Sequence, residues 1–297
     1  MKLEDLLTKA AQLEDKTVAV AQAEDEEVIE AVYTSLEKRL ARFILFGEEE
    51  KIRFYLKEKG IREDGVKIVH TTSKEMSAEM AVKAVKAREA DVLMKGNIPT
   101  ATILKAVLNK EYGLRTGKVL SHVAVFEVPE YDRFIIVTDA AMNIAPDLHQ
   151  KSQIITNAVE IANSIEINLP KVAPIAAVET VNPAMQATLD AAALTQMNKR
   201  GQIKNCIVDG PLALDNAVSM KAAEHKGIKS EVAGQADVLL VPAIEAGNIL
   251  YKSLIYFAKA KVGAVIAGAK APIVLTSRAD SAESKLYSLA LAICSAK

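Results

Sequence analysis

The sequence predicts an α/β protein of two domains, with parallel or mixed sheets flanked by helices. Two observations predict it: short β-branched runs alternate with amphipathic helical stretches, and the alternation is interrupted once by a hairpin-like pair. The 297 residues, half of them apolar, could bury roughly three quarters of the unfolded chain's surface, enough for two ordinary cores.

In the first stretch, Thr17–Val20, Phe43–Phe46, Val66–Val69 and Val92–Met94 read as strands. Between them, 26–42, 48–59 and 74–87 carry apolar residues three and four apart, as helices packed on a sheet do. The βαβα order implies parallel pairing. After Lys118 the pattern changes: 119–126 and 133–138, joined by a turn at 129–132, read as an antiparallel pair. Strands at 172–178, 206–208, 238–241 and 262–266 then alternate with helices at 150–164, 182–199 and 248–261. One strand (272–275) and one helix (284–295) remain, too few to stand alone, so they return to the first domain. The expected division is 1–118 plus 270–297 against 119–269, with the active site in the cleft between them.

Lys plus Arg (37) nearly balance Asp plus Glu (38), so no global field recruits nucleic acid or an anionic membrane, and an anion site has to be local. The longest apolar run, Ala233 to Leu240, is broken by Gln235 and Asp237 and falls short of the ~20 residues that span a bilayer. The N-terminus has no apolar leader, and Cys206 and Cys294 lack metal-ligand spacing. The reading is a cytoplasmic protein with no membrane or nucleic-acid partner. HExxH, GxSxG and GxGxxG are absent. Two P-loop near-misses, at 113–118 and 263–268, lack a correctly placed Lys.

The most informative stretch is PIVLTSRADSAESKLYSL, 272–289. A strand ends at Leu275 and a helix begins near Ser281, so Ser277 and Arg278 sit beside a helix N-terminus, a ready anion site. The guanidinium can hold phosphate bidentately and the hydroxyl can donate to a developing oxyanion. Asp280 and Glu283 have capping-box spacing, and helix initiation alone accounts for them equally well. Lys95-Gly96-Asn97 ends a strand: Gly96 allows close backbone approach, while Lys95 and the helix opening near Thr100 bind phosphate or acyl oxygen, the alternative being an N-capped helix with a solvated Lys. Arg115 and Lys118 add cations or are simply solvated. Asp139, Asn143, Asp147, Asp209, Asp215 and Asn216 lie in strand-end loops where Asx residues commonly form turns. Gly247, Asn248 and Lys252 are placed to cap a helix start, and the four histidines are scattered.

These segments, taken together, resemble the phosphate acetyl/butyryltransferase family. The serine-arginine turn, ADVLLVPAIEAGNILYKSLIYFAKA (236–260), DGPLALDNAVS (209–219), VTDAAMNIAPDL (137–148), MKGNIPTATILKAVL (94–108) and AVAQAEDEEVIEAV (19–32) follow in order from about residue 15 to the end. The resemblance implies a fold like the isocitrate and isopropylmalate dehydrogenases, a homodimer or higher homo-oligomer, and ternary-complex acyl transfer between coenzyme A and phosphate. No cofactor is implied; acyl-CoA, CoA, phosphate and acyl phosphate are the substrates and products. The family's catalytic Ser and Arg fall on Ser277 and Arg278. Its Asp in the same helix falls on Ser284, a departure that leaves Glu283 or Asp280 to deprotonate CoA, and 248–252 falls near the CoA-binding face. Lys105 stands where acetyl-type relatives carry Arg. Butyryl is the expected acyl group, acetyl the runner-up. A metal- and NAD(P)-dependent dehydrogenase of the same fold, and a silent acyl-CoA-binding relative, are the readings from other classes.

Overall fold

A computed structural model describes residues 2–13, 15–61, 65–275 and 280–297. Its elements begin with α1 (Leu3–Gln12), β1 (Thr17–Ala21), α2 (Glu26–Glu37), β2 (Arg42–Gly47), α3 (Glu49–Glu58), β3 (Val66–His70), α4 (Lys74–Lys86), β4 (Val92–Lys95) and α5 (Thr100–Val107). Then come β5 (Ser121–Glu127), β6 (Ile135–Thr138), α6 (Leu148–Ser164), β7 (Lys171–Pro174), α7 (Gln186–Lys199), β8 (Ile207–Val208), α8 (Leu214–Val218), α9 (Met220–His225), β9 (Val238–Leu240) and α10 (Ile244–Tyr256). The chain closes with β10 (Lys261–Ala267), β11 (Ile273–Val274) and α11 (Ala282–Ser295).

Two compact units divide the chain: residues 2–118 with 263–297, and residues 119–262. The division falls inside β10, whereas the sequence places it after residue 269. The reason is local: Ile266 pairs with Ile273 of β11, and Gly263 lies so close to Tyr287 of α11 that a Cβ there would sit 2.9 Å from its carbonyl oxygen.

In the discontinuous unit the strand order is β3-β2-β1-β4-β11-β10, parallel except for the β10–β11 pair. The apolar runs that mark β1, β2 and β4 are buried on both faces, as a helix-covered parallel sheet requires. The chain leaves β1 for β2 and β3 on one side, then returns to β4 on the other, so the β1–β4 boundary is a topological switch point. Helix α1 packs on α11 through Leu3, Leu6 and Leu7, each worth about 1.5–3 kcal/mol of burial.

The continuous unit has the order β5-β6-β9-β7-β8, with the expected antiparallel pair registered Ala124↔Val137 and Phe126↔Ile135. Asp147 and Gln150 form a reciprocal capping box that starts α6. A buried ion pair, Lys151 to Asp190 at 2.5 Å, joins α6 to α7. Burial pushes the Cys206 thiol up to about 11.

Several boundaries differ from expectation. Helix α2 stops at Glu37, not Arg42, because Arg39 turns to φ 55° and Arg42 opens β2 opposite Thr17. Helix α7 starts at Gln186 because Asn182 is used in a turn whose backbone bonds the Thr188 hydroxyl. Strand β7 ends at Pro174, leaving Ile175 a lone bridge to Leu212. Helix α10 runs from Ile244 to Tyr256, not 248–261: Gly247 is no cap but an interior residue, where a Cβ would meet the Asp139 carbonyl oxygen at 2.7 Å. Helices α8 and α9, five and six residues long, carry too little period to be read from sequence.

Candidate functional site

A cavity of about 480 Å³ lies in the discontinuous unit, bounded by the residues that follow β1, β4 and β11. This is the carboxyl side of the strands at the switch point, where open α/β sheets bind ligands. Lys95, the last residue of β4, lines it half-buried, its ammonium 3.4 Å from the Gly96 carbonyl oxygen. Gly96 is dictated by the close approach of β4 to β1, since a Cβ would lie 2.1 Å from the Gln22 carbonyl oxygen. The amides of Gly96 and Asn97 donate to the carbonyls of Ala21 and Gln22, both at 2.8 Å, and this pins the turn.

That turn delivers the chain to the start of α5. The starts of α2, α4 and α5 border the cavity, and the first two are closed by side chains: Asp25 accepts from Glu27 and Val28 of α2, and Ser73 accepts from Met76 of α4. Helix α5 follows Pro99, which supplies no side-chain cap, so the positive end of its dipole faces the cavity beside Thr100. Lys74 and Lys285 add cations, and Asp25 and Glu27 add carboxylates. Lys285 of α11 is buried, with its ammonium 2.6 Å from Glu27 Oε2. The arrangement suits a small oxyanion: ammonium groups, uncapped amides and a floor without side-chain bulk.

The structure brings Lys95, Gly96, Asn97 and Thr100 together in this cavity. Ser277 and Arg278 lie outside the described residues; Leu275, two residues before Ser277, lines the cavity. Asp280 and Glu283 line a second cavity of about 680 Å³ between α1, α2 and α11. There Glu283 Oε1 accepts from the Tyr287 hydroxyl at 2.8 Å, and Glu4 Oε2 lies 3.1 Å from the same hydroxyl. The expected capping box at Asp280 is corrected: Ser281 is the N-cap, its hydroxyl accepting from the Ser284 amide at 3.1 Å and bonding the Ser284 hydroxyl at 3.0 Å.

Arg115 is exposed, bridged to Ala269, and does not line this cavity; Lys105 and Lys118 are exposed. Asn248 and Lys252 are exposed on α10 in the other unit. Asp139 is only 2% exposed, and its carboxylate accepts from the backbone of Ala141, Met142 and Asn143, a turn-forming role. Asn216 is likewise buried against Glu179. Among the described residues no group of three or more His, Cys, Asp or Glu is placed to hold a metal, and no helix is long and apolar enough to cross a membrane.

Sequence reasoning missed Lys285 and Glu27. Their pairing spans 258 positions, which no local pattern reveals. The one available signal was a lysine in the opening turns of α11, where the helix dipole disfavours a cation.

The family model described as Phosphate acetyl/butaryl transferase matches residues 2–82 and 75–293. A protein of Bacillus subtilis (strain 168), named as a probable phosphate butyryltransferase, is 62% identical over 297 residues, covering 100% of this chain and 99% of its own. A phosphate acetyltransferase of Thermotoga maritima is 49% identical, covering 96% of this chain and 97% of its own. Among solved structures, a branched-chain phosphotransacylase from Enterococcus faecalis V583 superposes with a TM-score of 0.83 at 38% identity, over 94% of this chain and 98% of that one.

Proposed function

The chain belongs to the phosphate acetyl/butaryl transferase family, and from that premise we propose that it moves a short acyl group, butyryl ahead of acetyl, between coenzyme A and inorganic phosphate. The reaction is butyryl-CoA + phosphate = butyryl phosphate + CoA. A phosphate oxygen attacks the thioester carbonyl, the C–S bond breaks, and the sulfur leaves as a thiolate that takes up a proton. In reverse, the thiolate attacks the acyl phosphate carbonyl and phosphate departs.

The observation that carries this reading is the cavity at the β1–β4 switch point, with Lys95 and the start of α5 facing it. Lys95, Asn97, Thr100 and the first amides of α5 hold phosphate, and Gly96 keeps the floor low. Arg278 grips the phosphate oxygens and Ser277 donates to the carbonyl oxygen as charge develops there. Asp280 meets CoA, and Glu283 exchanges the thiol proton. A Glu283→Gln protein that keeps the wild-type pH–rate profile would reassign that carboxylate to its contact with Tyr287.

The likeness to the Bacillus subtilis protein supports butyryl. Acetyl and branched-chain acyl groups are the alternatives, from the Thermotoga and Enterococcus relatives. Each methylene in an apolar pocket is worth about 1–3 kcal/mol, so an acyl-CoA series separates them. The dehydrogenase reading is not favoured, since all three relatives are named for acyl transfer to or from phosphate. A homo-oligomer is part of this proposal: α10 buries only Gly247 and leaves Ile249 and Tyr256, with Phe257 just beyond, exposed. So is a cytoplasmic location, in keeping with Cys206 and Cys294 being thiols rather than disulfide-bonded. Incubation with butyryl-CoA and a thiol indicator tests the reading: CoA appears in proportion to added phosphate, and release independent of phosphate rejects it.

A further inference from the structure

Lys285 is the deepest cation of the cavity. Its side chain is 10% exposed, while that of its partner Glu27 is 56% exposed. The pair stands in the wall shared by the two cavities, since both residues line both. An ion pair with one partner mostly in water contributes little as a fastening of α11 to α2. The lysine also sits in the opening turns of α11, against the helix dipole.

The asymmetry of the pair points to another use. The ammonium is buried, whereas the carboxylate is mostly exposed to water. An oxyanion that enters beside Lys95 meets the Lys285 ammonium of the same cavity once Glu27 turns away. A phosphate near neutral pH carries between one and two negative charges, and Lys285 adds a buried ammonium to the more exposed Lys74 and Lys95 that line the same cavity.

We propose that Lys285 binds the substrate phosphate together with Lys95, and that Glu27 is a displaceable counter-ion which holds the ammonium in place and yields it to the incoming oxyanion; this rests on the phosphate-site reading given above. Glu27 then competes with phosphate, so its removal strengthens phosphate binding.

Steady-state kinetics of the full chain, with phosphate and butyryl-CoA varied separately, test this in Lys285→Met, Lys285→Arg, Glu27→Gln and Lys95→Met. Lys285→Met raises the phosphate KM tenfold or more and leaves the butyryl-CoA KM within twofold; Lys285→Arg recovers part of the loss. Glu27→Gln lowers the phosphate KM severalfold. A purely fastening pair predicts that Lys285→Met and Glu27→Gln shift both KM values and the unfolding midpoint alike, and that result overturns the proposal. So does an unchanged phosphate KM in Lys285→Met when Lys95→Met raises it. If neither lysine variant moves the phosphate KM while wild type transfers butyryl to phosphate, the phosphate-site reading itself fails. Should Lys285→Met not fold, Glu27→Gln and Lys285→Arg decide: a phosphate KM that rises in Glu27→Gln, or is unchanged in both, overturns the proposal.

Discussion

Replacing Gly96 with alanine strikes the floor of the proposed phosphate site. The new Cβ would lie 2.1 Å from the Gln22 carbonyl oxygen and 2.7 Å from that of Ala21, where ordinary contact begins at 3.4 Å. Both obstacles are backbone, so no side chain can swing aside. The turn has to retreat from β1 by more than 1 Å, and the two 2.8 Å bonds from Gly96 and Asn97 are strained or lost. Two backbone bonds at about 0.5–1.5 kcal/mol each and overpacking at about 1–3 kcal/mol together predict a loss of about 2–6 kcal/mol. The same retreat moves Lys95 and the start of α5, and a displacement of that size can reduce turnover about 10²-fold. Urea unfolding followed by circular dichroism reads the first effect, and kcat/KM for phosphate reads the second. A Gly96→Ala protein with the wild-type midpoint and wild-type phosphate kinetics refutes the close approach and the placement of phosphate beside it.

Asp190→Asn leaves Lys151 buried without its counter-charge, and about 3–5 kcal/mol of stability is lost, seen as a lower urea midpoint; Lys151→Met combined with Asp190→Leu recovers part of it. Burial holds the Asp237 carboxyl above its usual range. A folded state that binds this proton more tightly loses stability as pH rises from the unfolded pKa through the raised one, so Asp237→Asn, which keeps an acceptor for the Lys171 amide, gains on wild type over that window and then holds a constant lead in Tm. With its thiol pushed up to about 11, Cys206 resists alkylation by iodoacetamide at pH 8, and peptide mapping finds the partly exposed Cys294 labelled first. Arg278→Ala removes at least about 2 kcal/mol of transition-state stabilisation, read in kcat/KM for phosphate.

The elements legible in the sequence are those whose burial is uniform along the run. Thr17–Val20 and Phe43–Phe46 are strands because every residue from Val18 to Ala21 and Phe43 to Phe46 is buried, and a continuous apolar run says so locally. The hairpin was legible for the same reason, from Val123–Phe126 and Ile135–Val137. What was not legible depends on contacts far along the chain. Gly247 reads as the cap of a helix start in isolation, but α10 begins earlier, at Ile244, and Asp139 and Ala140 occupy the space a side chain at 247 would need. In the site, Lys95 to Thr100 was readable because strand, glycine turn and helix start are adjacent residues. The Lys285–Glu27 pair was not, because only the fold brings α11 to the start of α2. Asp280 looked like the cap of α11, yet the hydroxyl of Ser281, one residue on, takes the amide.

Phosphorus-31 NMR of butyryl-CoA and inorganic phosphate incubated with the protein tests the central claim most directly. The account predicts an acyl phosphate resonance that grows one for one with free CoA thiol. Thiol release without that resonance would mean that water, not phosphate, accepts the acyl group, and the account would be contradicted.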